Sequence, residues 1–166
     1  MKEVTLKIDG KEVKAREGMT ILEAARSVGI EIPTLCYNER LTPYGACRIC
    51  TVEIVRRGRR RFVAACLYPV EEGLEVYTDT PEVRRIRKIL LEFMLQIAPS
   101  GPIRRLAKAY GAVEGRFKTE RTDCILCGLC VRYCAEVKGA HAVCFVGRGA
   151  EREIAFFPEV APYECP

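Results

Sequence analysis

The ten cysteines of this 166-residue chain fall in two blocks, Cys36 to Cys66 and Cys124 to Cys165, and residues 67–123 contain none. Any fold the chain adopts must gather thiols at both ends and span a thiol-free middle. The cysteine density is below that of a short disulfide scaffold, and the recurring C-x-x-C steps favour metal over disulfide chemistry.

In the first block Cys36, Cys47, Cys50 and Cys66 are separated by ten, two and fifteen residues. Structural zinc usually takes two close pairs or Cys/His combinations. Here one pair is close and the outer two cysteines stand apart. That asymmetry matches a 2Fe-2S site, where a loop wraps the cluster and a distant strand-end Cys completes it. Gly45 and Ala46, just before Cys47, leave room for backbone N–H groups near bridging sulfides, which stabilises the more negative reduced state. The second block opens with CILCGLCVRYC, residues 124–134. Three of these thiols can face one site. The fourth ligand stays open, because in the bacterial ferredoxin run the last Cys ligates the other cluster of a two-cluster protein.

The stretches between the cysteines predict an α+β chain. Val4, Leu6 and Ile8 alternate with polar residues, Asp9-Gly10 makes a tight turn, and Val13 starts a second strand. Thr20 with Glu23 is a capping box, ILEAARSV has helical spacing, and Gly29 closes the helix. Strands are expected near 50–55, 61–65 and 74–77, with a turn at Arg57-Gly58-Arg59. Thr80-Pro81 starts a new helix, with Val83, Ile86, Leu90, Phe93 and Ile97 as its apolar face and Arg84, Arg85 and Lys88 off it. Pro99 to Pro102 breaks that helix, and a shorter one ends at Gly111.

Composition narrows the function classes. Net charge is +5, with arginines clumped at 56–61, 84–88 and 104–105. No aromatic residues interleave these clumps for base stacking, so solvated faces or a docking surface for acidic partner subunits are expected, not nucleic-acid binding. A zinc-containing nucleic-acid adaptor is the rival that this argument and the ligand spacing set aside. The most apolar stretch, Ile89 to Ala98, carries Glu92 and Gln96, and no transmembrane segment is expected. The first residues lack the apolar segment of a signal peptide, so no such leader is expected and the cytoplasm is the expected compartment. One Asn and one Gln beside 30% charged residues is a heat-adapted composition, which suggests a thermophilic source. No G-x-G-x-x-G fingerprint follows a strand, and no catalytic Ser, His and Asp set is evident.

The stretches EGMTILEAARSVGIEIPTLCY, GACRICTVEI and ACLYPVEEG resemble the N-terminal region of the large iron-sulfur subunit of complex I, and equally the small diaphorase subunit of NAD-linked hydrogenases and formate dehydrogenases. The resemblance implies a β-grasp 2Fe-2S ferredoxin-like domain over residues 1–79, with Cys36, Cys47, Cys50 and Cys66 as its ligands. A helical linker over 80–116 and a small 4Fe-4S ferredoxin-like domain over 117–166 follow. Such subunits usually carry a His-plus-three-Cys site after the long helix, but residues 67–123 hold neither Cys nor His. That cluster is expected to be absent. In the hydrogenase type a second full cysteine run follows the first, whereas in the complex I type a lone Cys-Pro closes a single cluster. Here a single Cys165-Pro166 follows. The resemblance therefore implies one 4Fe-4S cluster on Cys124, Cys127, Cys130 and Cys165, with Cys134 as the alternative fourth ligand, Cys144 a buried or free thiol and His141 a structural or surface residue.

The function implied is an electron-transfer subunit with no catalytic site of its own. It would relay electrons between a flavin-containing, NAD(P)H-oxidising subunit and a terminal oxidoreductase such as a hydrogenase, a formate dehydrogenase or a bifurcating enzyme. The alternative is a free-standing soluble ferredoxin-type carrier. Such carriers are commonly acidic, and a charge of +5 argues for stable docking.

Overall fold

Two glycine dipeptides set the strand pairings. Asp9-Gly10 and Arg57-Gly58 each have positive φ at both positions, 49° and 80° in the first and 50° and 73° in the second. Such two-residue turns match the twist of the strands they join, so each closes a hairpin without splaying it. In the computed structural model, which describes residues 2–157, the first hairpin joins β1 (Glu3–Ile8) to β2 (Lys11–Arg16). The second joins β3 (Thr51–Arg56) to β4 (Arg59–Ala64). The tight turn lets β4 begin at Arg59, two residues earlier than the arginine-rich composition suggests.

A short strand, β5 (Glu75–Tyr77), runs parallel to β1 and antiparallel to β3, giving a five-stranded mixed sheet in the order β2-β1-β5-β3-β4. Helix α1 (Ile21–Ser27) covers it. The Thr20 hydroxyl accepts from the Glu23 N–H, the Glu23 carboxylate accepts from the Thr20 N–H, and Ile21, Leu22, Ala24 and Ala25 are buried. These meet Leu6, Ile8, Val13, Val52, Ile54 and Val76 in the core. Alternation along β1 and β2 supplies one apolar face, as a half-buried antiparallel pair requires.

Helix α2 (Pro81–Ile97) is capped by the Thr80 hydroxyl, and Pro81 occupies its first position. Its buried side differs from the expected one. Val83, Arg87, Leu91, Glu92, Met94 and Leu95 are buried, while Phe93 is 45% exposed and Ile86, Leu90 and Ile97 are only partly covered. The stripe is rotated because an arginine occupies a core position. Arg87 is 2% exposed. Its Nε donates to the Ile49 carbonyl at 3.0 Å, one terminal nitrogen to the Thr51 carbonyl at 2.8 Å and the other to the Tyr110 hydroxyl at 2.8 Å. Asp79 lies 3.9 Å from the guanidinium. Glu92 is held likewise, accepting from Arg116 at 2.7 Å.

The chain leaves α2 at Ala98, and α3 (Gly101–Tyr110) begins at once. Pro102 sits in its first turn, where a missing N–H has no partner to lose, so the break is confined to Ala98–Ser100. Gly111, in the left-handed conformation at φ 63°, ends α3 as expected. These elements belong to one compact unit, built from the residues up to Leu35 and from Cys47–Ile125.

A second unit joins Cys36–Ala46 to the residues from Leu126 on. It contains α4 (Leu129–Arg132), a π-helical turn (Tyr133–Val137), and a hairpin of β6 (Val143–Val146) with β7 (Glu153–Phe156). Among the described residues no helix is long and apolar enough to cross a membrane.

Removing the buried guanidinium should strand two backbone carbonyls. Arg87→Met is expected to lower unfolding stability by about 2–6 kcal/mol, since each unsatisfied buried acceptor costs about 1–3 kcal/mol. Arg85→Met, on the exposed side, should stay within about 0.5 kcal/mol. Denaturant melts of the two variants against the parent chain provide the comparison.

Candidate metal centre

The second hairpin places two cysteines at its open end. Because Thr51 pairs with Ala64, the residues just outside the ladder are Cys50 and Ala65, and the Ala65 N–H donates to the Cys50 carbonyl at 3.1 Å. Cys66 follows directly. Its sulfur lies 3.4 Å from that of Cys50, and both residues are 1% exposed. Two sulfurs bound tetrahedrally to one metal at about 2.3 Å stand about 3.7 Å apart, whereas a disulfide requires about 2.05 Å. Cys50 and Cys66 are thiols, not a half-cystine pair. Their separation fits a shared metal, and two sulfurs on one iron is half the ligand set of a two-iron cluster.

The turn before Cys50 is shaped by backbone. Arg48 has φ 59°, and its carbonyl accepts from both the N–H and the hydroxyl of Thr51, at 3.1 and 2.6 Å. Arg87 holds the carbonyls of Ile49 and Thr51, the residues on either side of Cys50. Cys47, 5% exposed, enters this turn three residues earlier. Cys36 is 1% exposed and belongs to the second unit.

The second block is arranged differently. Cys124 and Cys127 are half-buried and Cys130 is exposed. Cys134 is 1% exposed, packed with Ala142, Ala140 and Val143, and its sulfur accepts from the Ala142 N–H at 3.2 Å. The π-helical turn carries it inward. Cys144 is half-buried in β6, and His141 is exposed in the turn before it, with φ 54°. Gly128, beside Cys127, has φ 70°, and a Cβ there would lie 3.1 Å from the Phe145 ring and 3.3 Å from Tyr44. A side chain there would have to push these rings back and hold a left-handed backbone, both of which glycine avoids. Cys165 lies outside the described residues. Among the described residues no three His, Cys, Asp or Glu side chains converge as ligands of one ion.

Comparison with known proteins bears on the domain that carries this hairpin. The family described as "2Fe-2S iron-sulfur cluster binding domain" matches residues 1–81. Over those residues the chain is similar to this domain family. Across its length the chain is 37% identical to the NADH-ubiquinone oxidoreductase 75 kDa subunit of Reclinomonas americana, covering 93% of this chain and 26% of that protein. It is 37% identical to the NADPH-Fe(3+) oxidoreductase subunit alpha of Geobacter sulfurreducens, covering 88% and 20%. Among solved structures, a chain of an NAD+-reducing [NiFe]-hydrogenase in the H2-reduced state superposes with a TM-score of 0.79 at 29% identity, covering 92% of this chain and 74% of that one. The chain spans about a fifth to a quarter of the length of these curated relatives.

The alignment to the 75 kDa subunit extends over 180 residues, more than the 166 of this chain. The relative therefore carries residues inside the matched stretch that are missing here. Arg87 and Arg132, the two arginines that hold backbone around the cysteines, were not singled out by the sequence. Each lies among charged or cysteine residues where nothing in the pattern marks it as internal.

Proposed function

We propose that this chain is an iron-sulfur electron-transfer subunit carrying one 2Fe-2S and one 4Fe-4S cluster. It passes electrons one at a time between a flavin-containing, NAD(P)H-oxidising subunit and a terminal oxidoreductase. The observation that carries the reading is the Cys50–Cys66 sulfur pair, 3.4 Å apart at the open end of a hairpin, within a domain of 2Fe-2S type. The relatives, subunits of NADH and NADPH oxidoreductases and of a hydrogenase, support the place in an electron path.

In this reading residues 1–79 are the 2Fe-2S domain, with Cys36, Cys47, Cys50 and Cys66 as ligands. Residues 80–116 are the helical linker and 117–166 the 4Fe-4S domain, with Cys124, Cys127, Cys130 and Cys165 as ligands. The exposure of Cys130 and the partial exposure of Cys124 and Cys127 suit a site completed by a further ligand, while the Cys134 sulfur already accepts a backbone N–H in an apolar cluster. The bound clusters would supply one-electron redox chemistry. The chain's own contribution is to fix the thiolates, exclude water at Cys50 and Cys66, and set potentials through burial and charge. A Cys- and His-free middle at residues 67–123, and an alignment longer than the chain, support a wire with one centre fewer than in the relatives the sequence resembles. The cytoplasm and a thermophilic source remain part of the proposal on composition alone.

For the partner interface the reading favours the β3–β4 turn. Arg56, Arg57, Arg59 and Arg61 line a recess of about 440 Å³ there, and β4 is an edge strand. Opposed arginines of this density suit an acidic protein surface, where charge chiefly sets association rate and specificity. Charge reversal at Arg57, Arg59 and Arg61 is expected to weaken assembly at low salt without bleaching the protein. Assembly that is indifferent to the reversal would leave the turn as a solvated edge guard.

Iron and mutant spectra test the cluster assignment. Anaerobically purified protein is expected to hold about six iron atoms per chain, from one two-iron and one four-iron centre. Values near two or near ten would refute the pair. Cys165→Ser should degrade the 4Fe-4S signal and spare the 2Fe-2S one, and Cys134→Ser should leave both. The opposite behaviour of the two variants would make Cys134 the fourth ligand.

A further inference from the structure

Within the second unit, one arginine of the second cysteine run grips the loop that carries Cys36. Arg132 stands midway between Cys130 and Cys134. One terminal nitrogen donates to the Cys36 carbonyl at 2.6 Å and the other to the Thr42 carbonyl at 2.5 Å. The guanidinium carbon lies 5.5 Å from the centre of the Tyr44 ring. One helical turn further on, the Glu136 carboxylate accepts the Thr42 N–H at 2.6 Å. The loop is thus held at the Cys36 carbonyl and at both backbone groups of Thr42. The Arg132 Nε is buried without a hydrogen-bond partner, an uncompensated donor that the fork geometry leaves over.

Two physical effects follow for whatever the Cys36 sulfur binds. A planar guanidinium fixed on two carbonyls leaves the Cys36 peptide little freedom, so the ligand is positioned before the metal arrives. Arg132 touches neutral carbonyls and a ring, and the nearby Glu136 carboxylate is engaged by the Thr42 N–H, with no ion pair to the guanidinium. A fixed cation hydrogen-bonded at the backbone of a ligating cysteine favours the more negative, reduced form of a cluster.

We propose that Arg132 is a positioning residue for the 2Fe-2S site. Acting from inside the 4Fe-4S cysteine run, it fixes the Cys36 loop and holds the 2Fe-2S potential higher than the thiolates alone would set it. This rests on Cys36 being a 2Fe-2S ligand. The action of Arg132 on the site is confined to the Cys36 loop that it holds.

The test is an EPR-monitored redox titration of the full chain with both clusters loaded, for the parent, Arg132→Gln and Arg132→Lys. The 2Fe-2S midpoint is expected to move to a more negative potential in Arg132→Gln, with altered g-values. In Arg132→Lys, which keeps the charge and loses the fork, the potential should move less while the g-values still change. A 2Fe-2S midpoint and g-values unchanged in Arg132→Lys and Arg132→Gln would overturn the proposal, as would a shift confined to the 4Fe-4S centre. Should Arg132→Gln fail to fold, Arg132→Lys alone decides by its g-values. A parent chain with no 2Fe-2S signal would instead defeat the cluster reading beneath the proposal, which separates the two failures.

Discussion

The first unit depends on the hydrogen bonds from Arg87 to the carbonyls of Ile49 and Thr51. A guanidinium buried to this degree is unfavourable unless its donors are met, because the desolvation of a charge amounts to several kcal/mol. Here Ile49, Thr51 and Tyr110 accept from it, Asp79 lies 3.9 Å away, and the Tyr110 ring lies 5.5 Å from its carbon. Arg87 therefore sets the rotation of α2 on the sheet and the path of the chain through Cys50. The turn that carries Cys50 and the long helix share one anchor.

The β3–β4 hairpin separates two kinds of chemistry along its length. Its turn carries arginines and its open end carries Cys50 and Cys66. Six residues at about 3.4 Å each put about 20 Å between the two ends, about two and a half Debye lengths at physiological salt. Charges at the turn can steer a partner without strongly shifting the potential of a centre at the other end. The charge suited to setting potential is nearer the ligands, as Arg132 is to Cys36. In the proposed reading, recognition and redox tuning fall to different arginines.

Local signals in the sequence were legible because their physics is local. Asp9-Gly10, Arg57-Gly58, the Thr20/Glu23 capping box, Thr80-Pro81 and Gly111 each bring their own dihedrals or hydrogen bonds, and each lies where expected. The burial of α2 was not legible. Arg87 sits in the run RRIRK and reads as one more surface charge until the carbonyls 36 and 38 residues earlier in the chain are seen to meet it. The grip of Arg132 was hidden for the same reason, since Cys36 and Thr42 lie 96 and 90 residues away. The cysteine spacing pointed to the hairpin pair, but only the register of β3 on β4 brings Cys50 to Cys66.

The central claim is that the chain is a conductor with two one-electron centres. Stepwise anaerobic titration of the cluster-loaded chain with a one-electron reductant, followed by visible absorption and EPR, tests it most directly. The account predicts uptake of about two electrons per chain in separate one-electron steps, one yielding a 2Fe-2S and the other a 4Fe-4S signal. A colourless protein that takes up none, or a third reducible iron-sulfur centre, would contradict it.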